Sequence, residues 1–504
     1  MKGKIGLVIG LMALIGLVSG AAISELEVDS MIFPFASDYI NISNNADFED
    51  YGLSGSGTAD DPYLIEGLNL ADHIGKGIVI RNTDAHLVIR DCTMQNLSGR
   101  YRYVNTQGIF VEEAENVRVE DCQVSSIFFE GVKNGYIENC TTDEDIYVAN
   151  NPRSGSYLVR GCRAGGGLDI LGAANCLVED CHVKDGEFGV MNSVNATFRN
   201  ITLLNCTFFP NGLSGASFEE INLIKSDILI LGLNPDEFEI HLKNSTANGK
   251  QILYYQDRGD LELKDLEAGY IWLFNCTGAR LDGVDASAIF VARSSGAAIE
   301  NSMIREGGQG ILLALSKDCI ISNNSIPNSS EGITVGRFDR FSSNNTLRHN
   351  LVRALGPSND GSEVAGIRVY TEDNSIVDNV ITDSEIGILI AGADNAIAGN
   401  TIANNRVGIR VEENYNSITG NNFLYNGRNG VQEKSKYASE SPGFVNNTWD
   451  GNFWASYSRS SSDEPDENGD GIVDRPYRTN IWLPSAPLDN GAMVEPIQQR
   501  PNLE

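Results

Sequence analysis

The sequence predicts an all-β solenoid, and three observations carry that expectation. The first is a strict repeat. Asn374-Ser-Ile-Val-Asp-Asn379-Val-Ile recurs as Asn395-Ala-Ile-Ala-Gly-Asn400-Thr-Ile and again as Asn416-Ser-Ile-Thr-Gly-Asn421-Asn-Phe, each line 21 residues after the last. A fixed period of this size marks stacked repeats. The second is the pattern beside each line: Gly366-Ile-Arg-Val, Gly387-Ile-Leu-Ile and Gly408-Ile-Arg-Val. Apolar residues alternating with polar ones, broken by Gly, Asn and Asp, give strands and turns and not helices. The third is composition: 52 Gly and only 14 Pro in 504 residues fit a turn-rich β chain. A repeat of this length suits a right-handed parallel β-helix with two or three short strands per coil. Such a fold grows lengthwise and need not divide into the several domains its length would otherwise require.

Taken in order, residues 1–22 read as a secretory signal. Lys2 and Lys4 precede the apolar run Ile5–Val18, and Ser19-Gly-Ala21 or Gly20-Ala-Ala22 offers a small-x-small cleavage site. Residues 23–75 are expected to form an N-terminal cap and first coil. Tyr39–Ile42 is a strand there and Ala46–Tyr51 a short covering helix, because an open coil end exposes unpaired backbone groups. Coils then run irregularly over 76–213. Cys92, Cys122, Cys140, Cys162, Cys181 and Cys206 each fall just after a strand, where Asn379 and Asn400 stand later. Cys276 and Cys319 share that context. The shared position predicts small buried residues stacked coil on coil; disulfides, usual in an exported chain, and a metal site remain as alternatives. From 214 to 275 the strands lengthen and become more polar, with Asn248-Gly-Lys at a hairpin-like turn, which suggests irregular coils carrying a mid-chain β insertion. Regular coils fill 276–447. Their recurrent Asn379, Asn400 and Asn421 predict a ladder of side-chain amides, each at a turn that tolerates left-handed backbone. Residues 448–504 form a C-terminal cap with an acidic loop.

The charge balance bounds the partners. With 37 basic and 68 acidic residues the net charge is −31, and loss of Lys2 and Lys4 would deepen it. Such a surface repels phosphate backbones and argues against a nucleic-acid partner. Calcium fits it better. Asp466, Asn468, Asp470 and Asp474 occupy positions 1, 3, 5 and 9 of a calcium-type loop, Gly471 stands at 6, and Ile472 offers its carbonyl at 7. Position 12 is Tyr477 and not Glu, so another donor must complete the site. For a ligand, Arg368 and Arg410 hold equivalent outward positions two coils apart, with Leu389 between them and Glu372 and Glu412 just beyond. That arrangement suggests a groove for an anionic or hydroxylated chain. Tyr101, Tyr103, Phe338 and Phe341 are aromatic residues on exposed loops that can stack on sugar rings or pin their loops to the solenoid. Twelve N-x-Ser/Thr sequons include Asn139, Asn205 and Asn275, which sit in Asn-Cys-Thr turns facing the stack and so read as structural.

Gly55-Ser-Gly-Thr…Asp61-Pro-Tyr, the Asn ladder, and Asn452-Phe-Trp-Ala-Ser-Tyr457…Asp470-Gly-Ile-Val-Asp474-Arg-Pro-Tyr477 resemble the NosD-type right-handed β-helix family. The stretch Asn248–Tyr255 followed by Leu273-Phe-Asn-Cys276 is similar to members expected on archaeal cell surfaces. The resemblance covers nearly all of the chain beyond the signal. It implies a relation to carbohydrate-binding and sugar-hydrolase solenoids, and its namesake is a periplasmic accessory protein for a copper enzyme. Copper has little support in the residues. His73, His86, His182, His241 and His349 are scattered, and the Met residues form no cluster. The reading that results is an exported β-helix, at the cell surface or in the periplasm and without a transmembrane span. It acts as a binding or structural module, with a polysaccharide or cell-envelope glycan as its partner. A polysaccharide lyase or hydrolase and a copper-enzyme accessory role stay open.

Overall fold

A computed structural model describes residues 40–70, 77–94, 108–149, 156–230, 240–305, 308–336, 341–355, 363–432, 446–455, 477–478, 488–489 and 492–493. The signal segment, the calcium-type loop, Tyr101, Tyr103 and Phe338 lie outside them. The chain divides into two compact units, residues 1–230 with 239–249, and residues 231–238 with 250–504.

Both units are parallel β-helices, because their coil strands pair in parallel, each with the strand one coil on; Tyr477–Arg478 and Leu488–Asp489 form a separate antiparallel pair. In the first unit Ile80, Val111, Phe129, Val148, Ile170 and Val190 stand in register. A second wall stacks Ile89, Val119, Ile137, Val159, Val178, Phe198 and Phe218. All of these are buried. Strand alternation sends every second residue inward, so like residues meet at every step of roughly 4.8 Å along the axis. Phe198 and Phe218 stack at 4.7 Å between ring centres. Each fully buried aliphatic or Phe side chain contributes about 1.5–3 kcal/mol, and no coil can bury its face without its neighbours.

The second unit is more regular. One wall stacks Ile271, Ile289, Ile311, Ile333, Ile367, Ile388 and Ile409. Another runs Leu281, Ile299, Ile321, Leu347, Ile376, Ile397, Ile418 and Trp449. Here the Asn ladder is as expected in its bonding but not in its backbone. Oδ1 of Asn400 accepts from Asn379 N at 2.9 Å and from Asn379 Nδ2 at 3.0 Å. Asn421 does the same for Asn400, and Asn452 for Asn421. The left-handed residue is the one before each rung: Asp378 at φ 53°, Gly399 at 67° and Gly420 at 64°. The column ends on buried Asp489. Its Oδ2 accepts from Asn452 N, Asn452 Nδ2 and Trp454 Nε1 at 3.1, 2.8 and 3.0 Å.

In the first unit thiols take the same place. Cys122 follows left-handed Asp121 as Asn379 follows Asp378, and all nine cysteines are free and buried. Those at the ladder position bond locally: Cys122 Sγ donates to Glu120 O at 3.2 Å and Cys181 Sγ to Glu179 O at 3.2 Å. Within the stretch expected to carry a β insertion, Ile240–Lys243 and Thr246–Ala247 pair in parallel with Ala216–Ile224, and Lys250–Gln256 pairs in parallel with Glu267–Phe274. Between them Asn248 and Gly249, at the hairpin-like turn, both take left-handed backbone, at φ 50° and 79°. At the first end, the helix Asp47–Asp50 lays buried Phe48 on Tyr63, rings 4.2 Å apart and 9° from parallel. At the other, Trp454 stacks on Phe423 at 4.2 Å.

Candidate functional site

The two outward faces of the first unit differ in kind. On one, the register aligns Glu66, Arg90, Glu120, Glu138, Arg160, Glu179, Arg199, Glu219 and Lys243 in a single column. These charges pair with each other: Arg90–Glu66 at 2.7 Å, Arg160–Glu179 at 2.6 Å and Lys243–Glu219 at 2.8 Å, with Arg199 also on Glu179. Burial pushes the Glu179 carboxyl up, but the two guanidiniums outweigh it and hold the group below the usual carboxylate range. Exposed pairs of this sort are each worth about 0–1 kcal/mol. The face is self-neutralising and offers a ligand little.

The opposite face carries aromatic and acidic side chains. Outward alternation aligns Phe110, Phe128, Tyr147 and Asp169 in one column, and Arg81, Glu112 and Glu130 in the next. Asp145 and Glu187 border the same strands, at the starts of Ile146–Ala149 and Glu187–Met191. Phe128 and Tyr147 lie 5.6 Å apart between ring centres. Arg81 donates from Nε to Glu112 at 2.9 Å.

Glycine gives the carboxylates their room. A Cβ on Gly189 would stand 2.2 Å from Asp169 Oδ1, and one on Gly166 would stand 2.4 Å from Asp145 Oδ1. The Gly167 N–H donates to Asp145 Oδ1 at 2.6 Å. Protein atoms crowd Asp169 on nearly every side although part of its side chain still reaches solvent. That burial, with the Asp145 and Glu187 charges, pushes its carboxyl well above the ordinary range. Glu187 is raised by burial and then by Asp145, and Glu130 by burial and then by Glu112 and Glu113. Burial, with the Glu130 and Asp169 charges, pushes the Tyr147 hydroxyl up to about 12. Perturbed acids gathered on one face beside aromatic rings mark a site candidate. None of these residues was singled out from the sequence. The available signals were the Gly165-Gly-Gly run before Asp169 and the aromatic residues at outward positions of successive coils.

The groove expected at Arg368 and Arg410 is not open. Both do face outward in register with Leu389, but they are 3% and 6% exposed. Arg368 Nη1 lies 3.3 Å from Glu331 Oε1 and donates to Tyr370 OH at 3.3 Å. Arg410 is paired with Glu363, its Nη2 3.2 Å from Oε1. Arg410 and then Arg406 hold the Glu363 carboxyl below its usual range. Leu389 belongs to an apolar cluster with Ala365, Ile386, Val407 and Val431 on the same side. Glu372 is exposed and Glu412 half-buried. Phe341 is 69% exposed.

The class of protein that these coils define is a right-handed parallel β-helix. Residues 76–228 match the family model described as a right-handed β-helix region. Residues 243–459 match the NosD model, described as a periplasmic copper-binding protein. No curated protein matches the sequence. Among solved structures it is similar to the A-module of the mannuronan C-5 epimerase AlgE6 of Azotobacter vinelandii. That likeness has 13% identity and a TM-score of 0.29, and covers 67% of this chain and 89% of that one. It is also similar to the periplasmic alginate epimerase AlgG, at 11% identity and a TM-score of 0.27, over 66% of this chain and 77% of that one. Among the described residues no three His, Cys, Asp or Glu side chains converge to hold a metal. No described helix is long and apolar enough to cross a membrane.

Proposed function

We propose that the protein is an exported β-helix that binds a glycan, at the cell surface or in the periplasm, on the aromatic and acidic face of its first unit. The observation that carries this reading is the row Phe110–Phe128–Tyr147, one ring per coil, flanked by carboxylates. Rings at successive coils offer stacking platforms at about the length of one pyranose in an extended chain. The neighbouring acids accept hydrogen bonds from hydroxyls. The β-helix and NosD matches support the reading, since carbohydrate-active proteins are common on this architecture. The test is a glycan array followed by titration of the best binder. Phe128→Ala should weaken binding about tenfold, roughly the 1.4 kcal/mol of one lost stacking contact. Unchanged affinity in that variant removes this face from consideration.

Asp169 favours a second reading, a polysaccharide-active enzyme. Its carboxyl pKa is raised by burial and by the nearby Asp145 and Glu187. An acid shifted in that direction close to a second carboxyl group is the kind of pairing that general acid and base work on a glycosidic bond needs. Product analysis on the bound glycan, with Asp169→Asn as control, decides between binder and catalyst.

A further inference from the structure

We infer that this face takes an ammonium-bearing glycan, an oligomer of amino sugars, in preference to neutral glycans or polyuronates. The inference rests on the glycan-binding reading above and adds its charge class. The protein itself fills the first step of the strip with a cation. The Arg81 guanidinium carbon lies 5.3 Å from the centre of the Phe110 ring, while Nε of the same side chain donates to Glu112 at 2.9 Å. A positive group is thus held between a ring face and a carboxylate. The register repeats that pair of partners along the axis: Phe110 aligns with Phe128 and then Tyr147, and Glu112 aligns with Glu130. At the later steps the acids that shift the local proton affinities are Glu112, Glu113, Asp145 and Glu187, and among the described residues no cation stands against Glu130, Asp169 or Glu187. Rings and carboxylates recur there without the guanidinium that completes the first step.

A polyuronate would bring its own carboxylates against this column. Like charges held this close repel at the effective dielectric of a protein surface, and every coil would add a like pair. A neutral glycan keeps the stacking and the hydroxyl hydrogen bonds but brings no charge to meet the acids. An amino sugar presents a flat apolar face to the ring and an ammonium to the carboxylate, as Arg81 does. A lysine-rich peptide carries the charge but has no flat face to lay on successive rings.

The test uses the full chain and isothermal titration with four probes: a glucosamine hexamer, its N-acetylated counterpart, a galacturonate hexamer and hexalysine. The glucosamine hexamer should bind at least tenfold more tightly than the N-acetylated one, and added salt should shrink that margin. Glu130→Gln, at an exposed position where folding is not at stake, should weaken binding of the glucosamine hexamer more than that of the N-acetylated one and so reduce the margin. Asp169→Asn should do the same in protein whose melting is confirmed as native-like. Equal or tighter binding of the galacturonate overturns the charge class and leaves the glycan reading standing. Hexalysine binding as tightly as glucosamine, with no loss in Phe128→Ala, overturns it in favour of a general polycation surface. Binding of none of the four ends the glycan reading and this inference with it.

Discussion

Replacing Asn400 by Ala interrupts the amide ladder at its centre. The side chain is fully buried. Its Oδ1 accepts two hydrogen bonds from Asn379. Its Nδ2 donates to Ile376 O at 2.8 Å, Ala398 O at 3.1 Å and Asn421 Oδ1 at 2.9 Å. The substitution removes all of these and leaves the Asn379 N–H buried beside a methyl group. At about 1 kcal/mol for each bond, with the usual penalty for a stranded donor, the cost is roughly 3–5 kcal/mol. That is a large share of a typical unfolding free energy of about 5–15 kcal/mol. Asn400→Ser should lose less, because Ser302 already serves as a rung whose N–H donates to Asn324 Oδ1. Asn404→Asp is the control. It sits exposed at a left-handed turn four residues away, where Asp is equally at home. Urea unfolding followed by circular dichroism and by the fluorescence of Trp449 and Trp454 gives the midpoints. If Asn400→Ala falls within 1 kcal/mol of wild type, the ladder is an ornament of the stack and not a source of its stability.

Four further outcomes are expected. Arg368→Ala removes the guanidinium that faces buried Glu331 and should cost about 3–5 kcal/mol; a variant that melts like wild type would return this side to the list of free surfaces. Thiol titration should find almost no reactive cysteine in the folded protein and all nine after denaturation without reductant, and a shortfall would reveal disulfides. Asp169 has a raised folded-state pKa, so it binds its proton above the range near 3.9 where the unfolded chain releases it. Its effect is to lower stability as pH rises through that window. Asp169→Asn should therefore gain on wild type as pH rises above about 4 and lose that advantage below, and a difference constant with pH would refute the assignment. Calcium at ten times its dissociation constant should stabilise the unit containing Asp466–Asp474 by about 1.4 kcal/mol, a rise in melting temperature that Asp470→Ala abolishes; superimposable scans with and without chelator would show only a turn.

The solenoid was legible because stacking writes itself into sequence. Ile376, Ile397 and Ile418 meet their own kind at a fixed interval, and the rung residues Asn379, Asn400 and Asn421 keep the same interval. The cysteines could be assigned to the stack because each follows a strand and a turn residue in the same order. Arg368 and Arg410 were placed on the correct side of the wall and wrongly taken as open. Alternation tells which way a side chain points, but not what later folds over it, and here Glu363 reaches Arg410 from a part of the chain 47 residues earlier. The acidic and aromatic face was missed for a related reason. Asp145, Asp169 and Glu187 are separated by 24 and then 18 residues, so unequal turns hide their alignment until the register is known.

Asp489 gives the second unit a grammar of length. Along its column every amide both receives from the coil before it and gives to the coil after, so one 21-residue module can follow another without altering either. A carboxylate receives but cannot give. Replacing one nitrogen by oxygen at the final rung therefore turns a repeatable joint into a terminus, with Trp454 bonded to the same atom. Duplicating or deleting whole modules between Asn374 and Asn421 should lengthen or shorten the second unit while its closing rung stays as it is. A module added beyond Asp489 would find no donor on which to build. In this protein the number of coils is free to drift by gene duplication, and the place where counting stops is held by a single atom.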